Sequence, residues 1–444
     1  MVSLLKTSKL RTFLYLGGES FVLNSPKDFF GCKHCQALGL GNTDIPLPPS
    51  SFGKLKHLRF LNISVNKSIQ SLPDSITDLV SLQILELIRC ENLKTFPRDL
   101  RKLVNLRFLS IKLCKSLSHL PSLSELPSLR TLILWGLGAL EFLQQTSDPE
   151  QSDTTRPFFQ SLEKLSLFMC SNLKGWWGRR QVMGAYQKHP SDNSLSSFPK
   201  LWYVKIVCCP HLNFMPPFPQ VEQLLTDNTK ILQQQMMVNP NCPSEATVGS
   251  TFIPFSKLMC LVLNGSDMEP SMLETLLRLP SNLKSMNLYF CNGWCLSRGM
   301  QNLSLLQKLN IFSCGGLDLL CQEDEHGTQW RFLTKLHVLK LNFLENLVAL
   351  PKGIQHVTTL QSLEISDCRN LESLLEWIEN FSLLEKLVLS DCPKLERLPL
   401  GMRNLTRLKE LRICDCPALK ERYLTDGHEE LEKIAHIRII DWED

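Results

Sequence analysis

The chain has 444 residues, of which 43% are hydrophobic and 21% charged, with a formal net charge of +4. No apolar run approaches the ~20 residues of a membrane span, which excludes a helical membrane protein. The 17 cysteines are odd in number. Most recur at one spacing, which argues against a disulfide framework and for a reducing, cytoplasmic setting.

Charge is uneven along the chain. Residues 1–200 hold 25 Lys+Arg against 15 Asp+Glu, and residues 201–444 hold 23 against 29. The basic excess forms no run of the kind that binds nucleic acid, and the asymmetry predicts two surfaces with different partners. Near the start, Arg11 breaks the only apolar patch, so no secretory leader is expected. The first strands are predicted at Leu10, Phe13, Tyr15 and at Cys35, Leu38, Leu40, as irregular units within residues 1–57.

From Leu58 the text settles into a frame. Leu82, Leu85 and Leu87 stand in L-x-x-L-x-L spacing, Cys90 follows eight residues after the first leucine, and Phe96-Pro97 close the unit. The steps from 58 to 82 to 106, and from 336 to 360 to 384 to 408, are each 24 residues. This period with this consensus marks a leucine-rich repeat. Leucines two apart point to one side of a short strand, and one unit cannot bury them alone. Stacked units can, which predicts an α/β solenoid, a horseshoe with a parallel sheet on its concave face.

Further frames start at Leu129, Leu162, Leu201, Val221, Leu258, Leu283 and Leu306, with a last strand at Ile434, Ile437, Ile439. That makes about 17 repeats. The predicted organisation is repeats over 58–226 with loops near 144–156 and 178–197, an irregular insertion at 227–257, repeats over 258–427, and a C-terminal cap at 428–444 that ends in polar residues.

The nine cysteines at the eighth place after the leading Leu (Cys90, Cys114, Cys170, Cys209, Cys291, Cys314, Cys368, Cys392, Cys416) are expected to be small buried residues. Each S–H should point at backbone carbonyls of the next coil, a place that Asn66 fills in its own unit. Cys32-Lys33-His34-Cys35 has metal-like spacing but no second ligand pair, and Cys35 occupies a core position. No metal or other cofactor is expected. Phosphate-binding, zinc-hydrolase and serine-hydrolase patterns are missing from the text, and the histidines, such as His57, His119 and His356, fall at exposed places. A non-enzymatic binding protein is therefore expected.

The x positions of the strand face outward. Through the middle units they are often aromatic: Phe108, Trp135, Phe168, Trp202, Tyr203, Tyr289, Phe290, Phe312 and Phe343. Such a row is either a protein-binding patch or side-by-side structural stacking. Asp367, Asp391 and Asp415, 24 residues apart, should form a column ~5 Å between members. It is either an acidic recognition strip or a solvated ladder relieved by Lys340 and Arg412. Of the adjacent Trp176 and Trp177, only one can face the core in extended chain.

The unit LEKLVLSDCPKLERLP at 384–399 resembles the repeats of plant intracellular disease-resistance receptors of the nucleotide-binding leucine-rich-repeat family. NLKGWW at 172–177 and the ending CPALKERYLTDGHEELEKIAHIRII at 416–440 are similar to its coiled-coil subclass. The resemblance runs over essentially the whole chain. It implies that early repeats dock on a nucleotide-binding module, of the same or another receptor chain, and hold it inactive. Later repeats would recognise a pathogen effector or a guarded host protein. The family's coiled coil and P-loop module are absent here. Lys54, Lys56, Arg59, Arg101 and Lys102 are the residues expected to dock. The competing readings are a substrate-binding adaptor of a ubiquitin ligase, a stand-alone truncated repeat protein acting as decoy or regulator, and an extracellular receptor ectodomain. The last would need paired-cysteine caps and a different repeat text.

Overall fold

The computed structural model describes residues 10–15, 33–42, 52–144, 159–177, 198–237, 255–266, 268–278, 282–293, 296–315, 328–425, 432–437 and 439–443. The chain divides into two compact units, Met1–Val221 with Lys230–Phe252, and Glu222–Thr229 with Ile253–Asp444. In both, the second and third leucines of the frame alternate with outward residues, and each regular unit makes one five-residue strand.

The first unit carries β1 (Thr12–Tyr15), β2 (Ala37–Gly41), β3 (Phe60–Ser64), β4 (Ile84–Ile88), β5 (Phe108–Lys112), β6 (Thr131–Trp135), β7 (Phe142–Gln144), β8 (Lys164–Phe168), β9 (Gly175–Trp177) and β10 (Tyr203–Val207). Eight of these form one parallel ladder in the order β1-β2-β3-β4-β5-β6-β8-β10. β7 and β9 pair separately. The second unit is the ladder β11 (Gln223–Thr226), β12 (Cys260–Asn264), β13 (Ser285–Tyr289), β14 (Lys308–Phe312), β15 (Val338–Asn342), β16 (Ser362–Ser366), β17 (Lys386–Ser390), β18 (Glu410–Cys414) and β19 (Ile439–Glu443), also parallel throughout. The seventeen ladder strands match the repeat count, and the fold is a leucine-rich-repeat solenoid.

The register shows how the frame builds the core. Leu85 pairs with Leu61 and Leu109, Leu87 with Ile63 and Ile111, and all six are fully buried. Burial of a leucine side chain is worth about 1.5–3 kcal/mol, so stability accumulates coil by coil. The leading leucine closes a turn to the third residue before it, as Leu82 N–H does to the Leu79 carbonyl at 2.8 Å. Opposite the sheet run short 3-10 turns such as Asp74–Asp78, Lys352–His356 and Leu400–Asn404, introduced by Pro73, Pro351 and Pro399. Asparagines tie coil to coil: Asn92 Nδ2 donates to the Lys67 carbonyl at 2.8 Å and Asn370 Nδ2 to that of Glu345 at 2.7 Å.

Among the described residues three α-helices replace turns: α1 (Thr229–Met237), α2 (Pro270–Leu277) and α3 (Pro417–Thr425). Helix α1 lies in the segment read from sequence as irregular. Gln234 and Gln235 on it satisfy the backbone of Met215, Pro216 and Phe218. The expected loops lie outside the described residues apart from Gln144.

The last strand corrects the sequence frame. Leu411 pairs with Ile440 and Ile413 with Trp442, so the unit is led by Ile437 and not by Ile434. Ile437 N–H bonds the Ile434 carbonyl at 2.9 Å, as Leu408 does that of Leu405 at 3.0 Å. Asp441, Trp442 and Glu443 therefore belong to a paired strand rather than to a polar tail.

Candidate protein-binding surface

One backbone feature organises the rim of each sheet. The residue after the strand has positive φ in coil after coil, including Val65, Arg89, Leu113, Met169, Phe290, Phe343, Asp367, Asp391 and Asp415 at 47–56°. Its N–H donates to the last residue of the next strand: Arg89 to Lys112, Phe343 to Ser366 and Asp367 to Ser390, at 2.8–2.9 Å. A left-handed conformation is costly for a bulky residue, and this bond to the next coil holds it in place.

The predicted aromatics divide between the two units. In the first, Trp135 and Phe168 end neighbouring strands in register, their ring centroids 5.6 Å apart. Trp202 precedes β10 and packs on Tyr203 at 5.9 Å. Phe108 opens β5 next to Ile84 and Thr131 and joins none of these rings. Sequence reasoning missed the lysines among them. Lys112 lies over Trp135, Lys164 over Trp202 and Lys205 over Phe168, at 5.9, 4.9 and 4.8 Å from the ring centroids. It also missed exposed Met169, which the eighth-place spacing could have located.

In the second unit Tyr289 and Phe312 end β13 and β14 in register, 5.6 Å apart. Phe290 and Phe343 are not strand residues, as the sequence frame had them. They occupy the left-handed rim position, 6.1 and 4.7 Å from Phe312, and are 41% and 42% exposed. Four aromatic rings thus make one continuous patch with two of them half in water. Exposed aromatic area of this kind is what buried centres of protein interfaces are built from.

Asp367, Asp391 and Asp415 also sit at the rim and not in the strands. Asp is among the residues that tolerate this conformation, which accounts for its recurrence there. Lys340 and Arg412 do not relieve the column. Lys340 bonds Glu364 at 2.6 Å, Arg412 bonds Glu410 at 2.6 Å, and Lys386 bonds Glu410 at 2.8 Å, so the sheet face itself is charge-paired. Burial, and then the neighbouring Asp391, push the Asp367 carboxyl above its ordinary range. A raised carboxyl costs stability while ionised, and that cost is relieved as pH falls through the folded pKa. Asp367→Asn keeps the backbone preference and removes the charge. It should melt slightly higher than the parent at pH 7, with the difference vanishing near pH 3; thermal scans at both pH values check this.

Of the basic residues expected to dock, Lys54, Lys56 and Arg59 are exposed. Arg101 reaches Asp99 at 3.6 Å and Glu125 at 3.4 Å, and Lys102 reaches Asp99 at 3.1 Å.

The nine frame cysteines are buried. Seven of the thiols reach a carbonyl of the preceding coil where one of the next coil was expected, as Cys90 Sγ does that of Ile63 at 3.5 Å and Cys368 Sγ that of Leu341 at 3.6 Å. Burial pushes the Cys368 thiol up to about 11. Cys208 is exposed. A maleimide at neutral pH should therefore modify Cys208 in the native protein and reach the nine only on unfolding, as read by peptide mass mapping. Cys32 lies outside the described residues, Cys35 is core, and no cluster of three metal-ligating side chains occurs among the described residues. No helix among them is long and apolar enough to cross a membrane.

Stacked parallel strands, buried frame leucines and an outward aromatic rim define a repeat scaffold for binding other macromolecules. The family model for a leucine-rich repeat region matches residues 4–233, and the chain belongs to that family. No curated protein matches the sequence. Among solved structures, a leucine-rich-repeat protein of Leptospira interrogans shares 21% identity, with 97% of this chain and 90% of that chain covered and a TM-score of 0.53. TLR13 in its complex with ssRNA13 shares 17% identity, with 95% and 64% covered and a TM-score of 0.46. An internalin of Listeria monocytogenes shares 14%, with 81% of each covered and a TM-score of 0.39. The first of these supports the fold.

Proposed function

We propose that the chain is the protein-recognition and autoinhibitory repeat region of a cytoplasmic plant disease-resistance receptor. It senses a pathogen effector or a guarded host protein and works without catalysis or cofactor. The observation that carries the recognition half is the patch of Tyr289, Phe290, Phe312 and Phe343, two of whose rings stand half in water. The receptor class rests on the repeat text at 384–399 and the ending at 416–440. Lys54, Lys56 and Arg59 are the residues assigned to docking on a nucleotide-binding module; Arg101 and Lys102, already engaged by acids, contribute less.

The test places the chain behind such a module in leaf cells. Lys54→Glu with Lys56→Glu and Arg59→Glu should raise basal cell death well above the parent, and Arg101→Glu with Lys102→Glu should raise it less. Unchanged basal cell death in the first variant, at equal protein level, contradicts the docking role.

A further inference from the structure

Three lysines on the face of β5, β6, β8 and β10 have no acidic partner among the described residues. Lys112, Lys164 and Lys205 each lie over an aromatic ring, and none of them makes an ion pair among the described residues. In the second unit Lys340, Lys386 and Arg412 bond carboxylates, while Lys308 on β14 bonds none among the described residues. Glu163, beside Lys164 in the chain, is turned to Arg130 at 3.6 Å. Two further donors on the same strands are buried without a partner, the Ser110 hydroxyl and the Trp135 indole N–H. Buried donors are rarely left unmatched, and both of these lie on strands of the lysine-bearing face, beneath its surface.

We infer that this face binds an acidic segment of a partner protein in extended conformation. The inference rests on the protein-recognition reading and adds the chemistry of the partner. Strand spacing and rise put the Lys164 and Lys205 positions about 8 Å apart, and Lys112 about 16 Å from each. An extended segment rises about 3.3 Å per residue, so two acidic residues near one end and a third about five residues on would reach all three ammonium groups. The intervening apolar residues would lie on Trp135 and Phe168. Single-stranded nucleic acid fits less well. Base stacking needs free ring faces. Here the lysines stand over Trp135, Trp202 and Phe168, and Trp135 meets Phe168 edge-on at 61°. Three cations also fall short of the several phosphates that a nucleic-acid footprint neutralises.

The test is selection of random 12-residue peptides displayed on phage against the full chain. Recovered peptides are then measured by fluorescence anisotropy on the parent and on the Lys112→Glu, Lys164→Glu, Lys205→Glu triple variant. Peptides enriched in Asp and Glu at the stated spacing are expected, binding at least about tenfold weaker to the triple variant and weaker in high salt. The corresponding triple Lys→Gln variant should weaken binding severalfold and flatten the salt dependence, which serves if charge reversal disturbs folding. Recovered peptides without acidic enrichment, or whose binding survives the substitutions, overturn this inference and leave protein recognition standing. Recovery of no peptide at all removes both. Binding of an oligouridylate probe that is lost in the triple variant makes the face a nucleic-acid site and also overturns it.

Discussion

Trp176→Ala should destabilise the first unit by about 3–5 kcal/mol, the usual cost of emptying a buried aromatic site. Trp176 is 1% exposed and fits edge-on between Phe159 and Phe198, with centroids 5.4 and 5.2 Å away. Those two rings also stack on each other at 5.7 Å. Both phenylalanines hold positive φ at the turns that lead into Leu162 and Leu201. The indole therefore fixes the entry of two successive coils, β8 and β10. Its own strand β9 is tied sideways to β7 and by a bridge from Gly175 to Phe214. Removing it leaves a hole that three separate coils would have to move to fill. Trp176→Phe should recover part of the loss. Urea unfolding followed by near-UV circular dichroism reads both; a loss under about 1 kcal/mol would mean that the coils collapse freely around the site.

Gly401→Ala should cost about 1–3 kcal/mol although it adds one methyl group. Gly401 is the second residue of the 3-10 turn Leu400–Asn404, stacked on the turn Glu376–Asn380 of the coil before. A Cβ there would come within 2.5 Å of the Glu376 carbonyl oxygen and 3.4 Å of the Glu379 backbone nitrogen. Backbone cannot swing aside as a side chain can, so the two turns must part. That would strain the bond from Gly401 N–H to the Glu376 carboxylate, now 3.1 Å. Gly138 is the control. Nothing lies within 4 Å of a Cβ built on it, and Gly138→Ala should stay within about 0.5 kcal/mol of the parent. Equal effects at the two positions would show that backbone entropy, and not coil spacing, sets the cost.

The frame was legible because burial repeats. Leu85 and Leu87, or Leu363 and Ile365, point inward for the same reason in every coil, and Cys90 and Cys368 share one small site at the strand end. The rim was not legible. Val65, Arg89, Met169, Phe290 and Asp367 share a left-handed backbone but no side-chain type, because the bond to the next coil imposes the conformation. Phe290, Phe343 and the three aspartates were therefore assigned to strands that end one residue earlier. The lysine–ring contacts were missed for another reason. Lys205 reaches Phe168 diagonally across strands 39 residues apart, over a connection that breaks the 24-residue period. The last unit was misframed because Ile434, Ile437, Ile439 and Ile440 offer two settings of the same pattern, and pairing with β18 decides between them.

Recognition is proposed to use the sheet rim and not the turns on the opposite side. Radical footprinting of side chains, on the free chain and on its complex with a selected protein or peptide binder, tests this most directly. Exposed apolar residues occur in both places: Met169, Phe290 and Phe343 at the rim, and Val80, Val104, Phe332 and Leu400 along the turns. Protection is expected at one or more of the first three on binding, with unchanged oxidation at the other four. Protection confined to Val80, Val104, Phe332 or Leu400, with Phe290 and Phe343 as reactive as in the free chain, would contradict it.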